Sequence, residues 1–174
     1  ISIPEQKTFD GVDFPLTLSP EAGSPASRET VAQWIRSHAD QLRAQMVRHG
    51  AILFRGFGFE TPEDFEAMLD AAEFENMPYI GGAAPRTQVT QGRVLTANES
   101  PPSEPIPFHH EMAQVPNPPA YVFFYCDVAP PVGGETAIVL SKRVYTRFRD
   151  IAPDFADRVE REGVRYIRIM PPQD

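Results

Sequence analysis

The sequence predicts one domain of mixed class, mainly β with flanking helices (an α+β arrangement), and three observations carry that reading. Nineteen prolines gather chiefly at 101–107, 116–119, 130–131 and 171–172, between apolar segments rather than inside them. Proline fixes φ and has no N–H to give a ladder, so it punctuates strands and marks loop-rich β structure. Three strand-like runs, FHHEMA, AYVFFYCDVA and TAIVL, are set apart by those Pro and Gly turns. Upstream, Val31, Ile35, Leu42 and Met46 recur at helical spacing, which adds helices to the sheet.

The 174 residues suffice for one domain with a sizeable core and are few for two. A hydrophobic share of 41% and a charged share of 23% belong to an ordinary globular chain, not a disordered one. The net charge of −8 argues against a nucleic-acid surface, which needs a basic patch. Lys142, Arg143, Arg147 and Arg149 alternate with apolar residues and read as a solvated helix face. No apolar run approaches the ~18 residues of a membrane span, and no basic-then-apolar leader is visible. The expectation is a soluble, cytoplasmic protein without nucleic-acid or membrane partners. The single cysteine, Cys126, excludes an internal disulfide framework and a Cys-rich zinc site. Within YVFFYCDV it reads as a buried core residue rather than a nucleophile.

Taken in order, residues 1–27 hold a short strand in FPLTLSP and then a loop rich in Pro, Ser and Gly. Residues 28–48 form an amphipathic helix with Trp34 beside its apolar face. Ser27 is placed to cap it and Gly50 to stop it. AILFR (51–55) is a short buried strand, followed by a GFGFE turn. Thr61-Pro62-Glu63-Asp64 opens a second helix: Thr61 caps, Pro62 suits the first position, and the acids favour the positive end of the dipole. Phe65, Met68, Leu69 and Ala72 mark its packed face, and it ends near Phe74. ENMPYIGGAAPRTQVTQG (75–92) has no periodicity and reads as a long loop, of the length that often carries function. RVLTAN (93–98) reads as a strand and ESPPSEP as a loop. After the three central strands, Ser141 caps a helix through Phe148, a last helix covers 154–162, and VRYIRIM (164–170) returns as a strand. No internal repeat is visible.

The chemistry concentrates between Ile106 and Thr136. In a strand, residues i and i+2 share a face. His109 and Glu111 therefore project together, and His110 points the other way, toward a structural hydrogen bond. An imidazole beside a carboxylate supplies two adjacent ligands for a divalent metal. With a further histidine this makes the 2-His-1-carboxylate face of non-haem Fe(II) oxygen chemistry, which leaves positions open. A His-x-Glu triplet alone is weak, since a surface His and Glu produce it by chance. Its neighbours strengthen it: prolines fix the approach, YVFFYC suits a dry wall, and GGET lets backbone come close to a ligand while Thr136 offers a hydroxyl.

FHHEMA, FFYC and GGET, in this order and spacing, resemble the clavaminate synthase-like and taurine-dioxygenase-like branch of the Fe(II)/2-oxoglutarate oxygenases. The similarity extends upstream through YIGGAAPRT and TANESPP and covers roughly residues 50–150. These upstream stretches most resemble the subgroup holding plant clavaminate synthase-like proteins and hydroxylases of peptide-antibiotic pathways. The resemblance implies that His109 and Glu111 bind iron and that Thr136 hydrogen-bonds a carboxylate of 2-oxoglutarate, 136 − 109 = 27 residues downstream of the histidine. It also implies a distorted double-stranded β-helix, or jelly roll, buttressed by helices. The implied reaction couples decarboxylation of 2-oxoglutarate to succinate and carbon dioxide with oxidation of a small-molecule substrate. Halogenating relatives carry a small residue in place of the carboxylate, so Glu111 implies hydroxylation, desaturation or another oxygenase outcome.

Three further residues are candidates for contact with substrate. Arg86 can pair with a carboxylate through its guanidinium fork, Tyr79 lies in the same loop, and Asn98 ends the strand before the metal triplet. Each also has a plainer reading, as a solvated loop charge, a loop aromatic and a turn residue. His38 and His49 read as surface or helix-end residues, where the dipole favours a cation. Phe124 alternates with Phe123 and Tyr125, so one set faces the core and the other a pocket.

The family's second iron histidine and the arginine that clamps the far carboxylate lie well downstream of Thr136. No histidine follows His110 here. The chain is therefore expected to be the N-terminal portion of an oxygenase, incomplete as a jelly roll and completed by a missing C-terminal segment or a companion chain. The substrate expected is a small amino-acid-like molecule or other carboxylate, free or tethered to a carrier. Two other readings stay open: a non-catalytic jelly-roll binding or regulatory protein, and a small zinc or manganese cupin-like enzyme that leaves GGET unexplained.

Overall fold

Two helices crossing near their N-termini organise the structure, a computed structural model that describes residues 1–24, 27–82, 84–97, 99, 101, 103–167 and 169. Helix α1 spans Arg28–Ser37, α2 Ala39–His49 and α3 Pro62–Ala71. α1 lays Val31 and Ile35 against Phe65, Met68 and Leu69 of α3, and Leu42, Phe57 and Val94 close the core around them. The caps form as the residue types dictate. The Ser27 hydroxyl accepts from the Thr30 N–H. Thr61 and Asp64 form a reciprocal capping box, each side chain accepting from the other's backbone N–H. Asp64 accepts from the Glu60 N–H as well and pairs with Arg28 at the start of α1, tying the two helix N-termini together.

The single helix expected over 28–48 is two. His38 separates them at φ −115°, ψ 12°; its Nδ1 donates to the Trp34 carbonyl at 2.8 Å and its ring stacks on Trp34 with centroids 4.7 Å apart. A side chain that bonds the helix's own carbonyl competes with the regular ladder. α2 ends at Gly50, which takes the left-handed conformation expected of the stop. His49 is buried rather than at the surface, its Nδ1 donating to the Asp13 carbonyl at 2.7 Å.

The strands are short. β1 (Lys7–Phe9) and β2 (Val12–Phe14) form an antiparallel hairpin, while β3 (Leu16–Leu18) and β4 (Ile52–Phe54) pair in parallel, with α1 and α2 as the crossover. The hairpin was not expected, although its Asp10-Gly11 turn, both residues at positive φ, is the usual two-residue hairpin signal. Mixed α and β structure is therefore present, but the weight lies on helices. Among the described residues no ladder forms over 106–140 or 164–167, and there is no closed barrel. RVLTAN contributes one bridge, Gln88 to Leu95, in place of a strand. Strands exist only with partners, and these segments find none among the described residues.

Side chains nonetheless alternate along 121–126. Tyr121 and Phe123 pack on Phe74 at 5.0 and 4.9 Å, and Tyr125 stacks on Phe65 at 5.4 Å. Burial pushes the Tyr125 phenol pKa above its usual value, with Asp127 adding to the effect. Val122, Phe124 and Cys126 occupy the opposite, exposed face. Cys126 is therefore not a core residue, because the register puts its neighbours inward and itself outward.

Helices α4 (Ser141–Ile151) and α5 (Pro153–Glu162) form a hairpin, joined by Phe148 against Phe155 and by Arg149 paired with Asp157 and Glu160. Ser141 is the first helical residue, not the cap; Leu140 holds the cap position without a side-chain bond. The basic residues of α4 are exposed or nearly so, yet Arg143 pairs with Asp10 and lies over the Phe9 ring. No helix among the described residues is long and apolar enough to cross a membrane.

Candidate active site

His109, His110 and Glu111 lie in an extended-to-turn segment, closed by the Ala113 N–H donating to the His110 carbonyl and Val115 N–H to the Met112 carbonyl. Met112, buried at positive φ, reverses the chain directly after Glu111. A left-handed residue here replaces the continuation of a strand.

The orientation expected of the triplet survives this change. His109 Nε2 lies 3.7 Å from Glu111 Oε2. His109 Nδ1 is 2.8 Å from the Pro107 carbonyl, and a carbonyl can only accept, so the proton sits on Nδ1. In the neutral ring, Nε2 then carries the lone pair, and it faces a carboxylate oxygen. His110 turns away and shares a 2.9 Å hydrogen bond with Ser141 Oγ, linking the turn to α4.

An open cavity of about 470 Å³ lies over this pair, lined by Tyr79, Arg86, His109, Glu111, Gln114 and Tyr166 among others. Tyr79, Ala84 and Arg86, from the loop that precedes Thr87, form one wall. Gln114 Nε2 donates to the Gly81 carbonyl at 3.2 Å, and the Ala84 N–H donates to the Tyr79 hydroxyl at 3.3 Å. Arg86 lies over the Tyr79 ring at 5.1 Å and donates to the Thr96 carbonyl at 3.3 Å. Its other guanidinium nitrogen is 3.5 Å from Glu111 Oε1. The carboxylate within reach of Arg86 is thus the chain's own. The Thr96 hydroxyl accepts from the Thr87 N–H and donates to Glu99, whose carboxyl it holds below the usual range.

The segment that follows this wall, through Thr90 and Arg93, is pinned to α3. Glu66 accepts from the Thr90 hydroxyl at 2.9 Å and the Arg93 N–H at 2.6 Å, while Arg93 reaches the Phe74 carbonyl and Asp70. Sequence reasoning did not single out Glu66, Arg93 or Gln114; each acts through a contact distant in sequence, with no local signature.

Thr136 is exposed beyond the Gly133-Gly134 turn, both glycines at positive φ, and is not among the cavity-lining residues. Asn98 lies outside the described residues. Among those described, no group of three His, Cys, Asp or Glu converges to hold a metal. The donor set of two does fit a divalent ion: an imidazole whose Nδ1 is engaged by a carbonyl, leaving Nε2 as the ligating atom, beside an oxygen of a carboxylate whose other oxygen faces Arg86.

Residues 13–172 match the family described as Taurine catabolism dioxygenase TauD, TfdA family. The chain belongs to that family. A clavaminate synthase-like protein of Arabidopsis thaliana is 47% identical over 176 aligned residues, spanning 99% of this chain and 53% of the relative. A dapdiamide synthesis protein of Enterobacter agglomerans is 32% identical over 120 residues, or 68% of this chain and 35% of that protein. The chain thus spans about half the length of the Arabidopsis relative and about a third of the Enterobacter one. The family match takes in the His-x-Glu triplet, the loop 79–87 and the GGET turn together.

Proposed function

We propose that the protein containing this chain is an Fe(II)- and 2-oxoglutarate-dependent dioxygenase that hydroxylates a small amino-acid-like or carboxylate substrate, free or carrier-tethered. The observation that carries the reading is the opposition of His109 Nε2 and Glu111 Oε2 beneath an open cavity. His109 and Glu111 would hold the iron, and Thr136 would take a carboxylate of 2-oxoglutarate. The remaining histidine ligand and an arginine for the far carboxylate are assigned to the part of the protein not represented in these residues. The same part would supply the strands that complete a jelly roll.

Iron with 2-oxoglutarate supplies the activation of dioxygen. The work of this chain is positioning. The Pro107 carbonyl keeps the His109 proton on Nδ1, so that Nε2 is always the donor atom. Gln114 holds the loop 79–87 over the turn, giving the cavity a wall on that side. Tyr79 and Tyr166 line the cavity, and with the remainder of the protein they would help to keep water from the reacting centre. Tyr79, Arg86 and Asn98 are the proposed contacts to substrate.

The test uses the full-length protein. It is expected to convert 2-oxoglutarate to succinate only with Fe(II), and a library of amino acids, carrier-bound amino acids and other carboxylates should reveal substrates that stimulate succinate release. His109→Ala is expected to abolish turnover. Undiminished turnover in that variant would remove the ligand assignment.

A further inference from the structure

Among the described residues, Glu111 is steered by side chains. Its carboxylate is three-quarters buried, yet among the described residues neither oxygen accepts a backbone N–H. Its contacts are divided: Oε1 faces Arg86 at 3.5 Å and Oε2 faces His109 at 3.7 Å. A Glu side chain with no such restraint samples many rotamers, and ordering it costs entropy at the moment a ligand binds.

Arg86 is itself fixed from three directions. The Tyr79 ring lies against its guanidinium, the Thr96 carbonyl takes one N–H, and Glu111 takes the other side of the fork. Its side chain is only 15% exposed. Tyr79 and Arg86 line both the cavity over His109 and a second one of about 380 Å³ that reaches Gln88 and Arg93, so together they form the partition between the two. Gly82 makes room for this: a Cβ at that position would run into the Tyr79 ring.

We infer that Arg86 is a positioning residue for Glu111, holding Oε1 so that Oε2 alone is presented beside His109 Nε2. The inference rests on the reading of His109 and Glu111 as metal ligands. Two contributions oppose each other. The positive charge of Arg86 disfavours a nearby cation, while the fixed carboxylate favours it. Positioning outweighs charge here, because among the described residues only Arg86 faces Oε1 and because the guanidinium is already compensated by the carboxylate. Contacts of this kind to a ligating carboxylate typically change metal affinity roughly 10–100-fold.

The experiment titrates metal-free, full-length protein with Mn(II), and uses Co(II) as a spectroscopic probe of the donor set. Wild type is expected to bind Mn(II) and His109→Ala to lose it; failure of wild type to bind would overturn the metal reading itself, separately from Arg86. Arg86→Gln is expected to bind Mn(II) roughly 10–100-fold more weakly and to alter the Co(II) absorption spectrum. Arg86→Lys keeps a charge that can pair with Oε1 and should recover part of both. Wild-type or tighter Mn(II) binding by Arg86→Gln, in a protein that melts like wild type, overturns the inference. If the Arg86 variants do not fold, Tyr79→Leu, which removes the stacked ring and leaves the guanidinium, should show a smaller loss in the same direction. Unchanged affinity and spectrum in Tyr79→Leu would then overturn it.

Discussion

His109 Nε2 and Glu111 Oε2 face each other at 3.7 Å across a turn rather than along a strand. The pair is set by the Pro107 carbonyl on one side and Arg86 on the other, not by a sheet. Glu111→Gln keeps the size of the side chain and removes its charge. Mn(II) affinity of the full-length protein is expected to fall by more than the roughly 10–100-fold attached to outer contacts of a metal ligand. Isothermal titration measures it, and affinity within twofold of wild type would exclude Glu111 as a ligand.

Asp64 gives stability a pH dependence of known sign. The N–H of Glu60, with Arg28 and the N–H of Thr61, holds its carboxyl below the usual value against the opposing effect of burial. A depressed folded pKa means the contribution is complete above the unfolded value, about 3.9. It is lost as pH falls through the lowered folded value. Asp64→Ala should destabilise by about 1–3 kcal/mol at pH 7, combining a lost cap with a half-exposed ion pair. Urea unfolding of Asp64→Asn between about pH 5 and about pH 2 should show a shallower acid limb than wild type.

Thr17 carries a cost that a substitution can remove. It is 2% exposed, and among the described residues its Oγ1 has no hydrogen-bond partner. An unsatisfied buried hydroxyl costs about 1–3 kcal/mol. Thr17→Val keeps the β-branched shape that suits β3, and is expected to raise stability by about 1 kcal/mol. A lower melting temperature in that variant would mean that the hydroxyl is satisfied.

Gly50 combines two constraints. Its φ of 76° is the left-handed region, and a Cβ there would lie 2.5 Å from Leu140 Cδ1. Gly50→Ala should cost about 1–2 kcal/mol for the conformation alone, with the crowding added to it. Loss of less than half of that in thermal unfolding would show that α2 ends differently in solution.

Local signals were legible in the sequence and nonlocal ones were not. Ser27, Thr61 with Asp64, and Gly50 mark helix ends because capping acts within a few residues. The break at His38 escapes a reading by periodicity, since Leu42 and Met46 keep helical spacing across it. The runs FHHEMA, AYVFFYCDVA and TAIVL carry strand-like patterns, but a ladder needs a partner that pattern cannot supply. The facing of His109 and Glu111 agrees with their i, i+2 spacing, although a turn and not the expected strand produces it. The approach of Arg86 to Glu111 was not legible, because the two lie 25 positions apart (111 − 86 = 25) with no periodic pattern between them. The alternation of Phe123 and Phe124 was visible; which of them faces the core was decided by Phe74, just past the end of α3.

Residues 121–126 are docked without being paired. Tyr121, Phe123 and Tyr125 lock onto Phe65 and Phe74, while among the described residues the backbone of the run makes no hydrogen bond to other backbone. In folding terms this separates two events that usually coincide. Packing on Phe65 and Phe74 is enough to give the run its face and direction, and closing a loop to any pairing strand would be the longer search. A strand arriving there meets a template whose register is already chosen, so a slip by one residue would present it with the wrong side chains at every position.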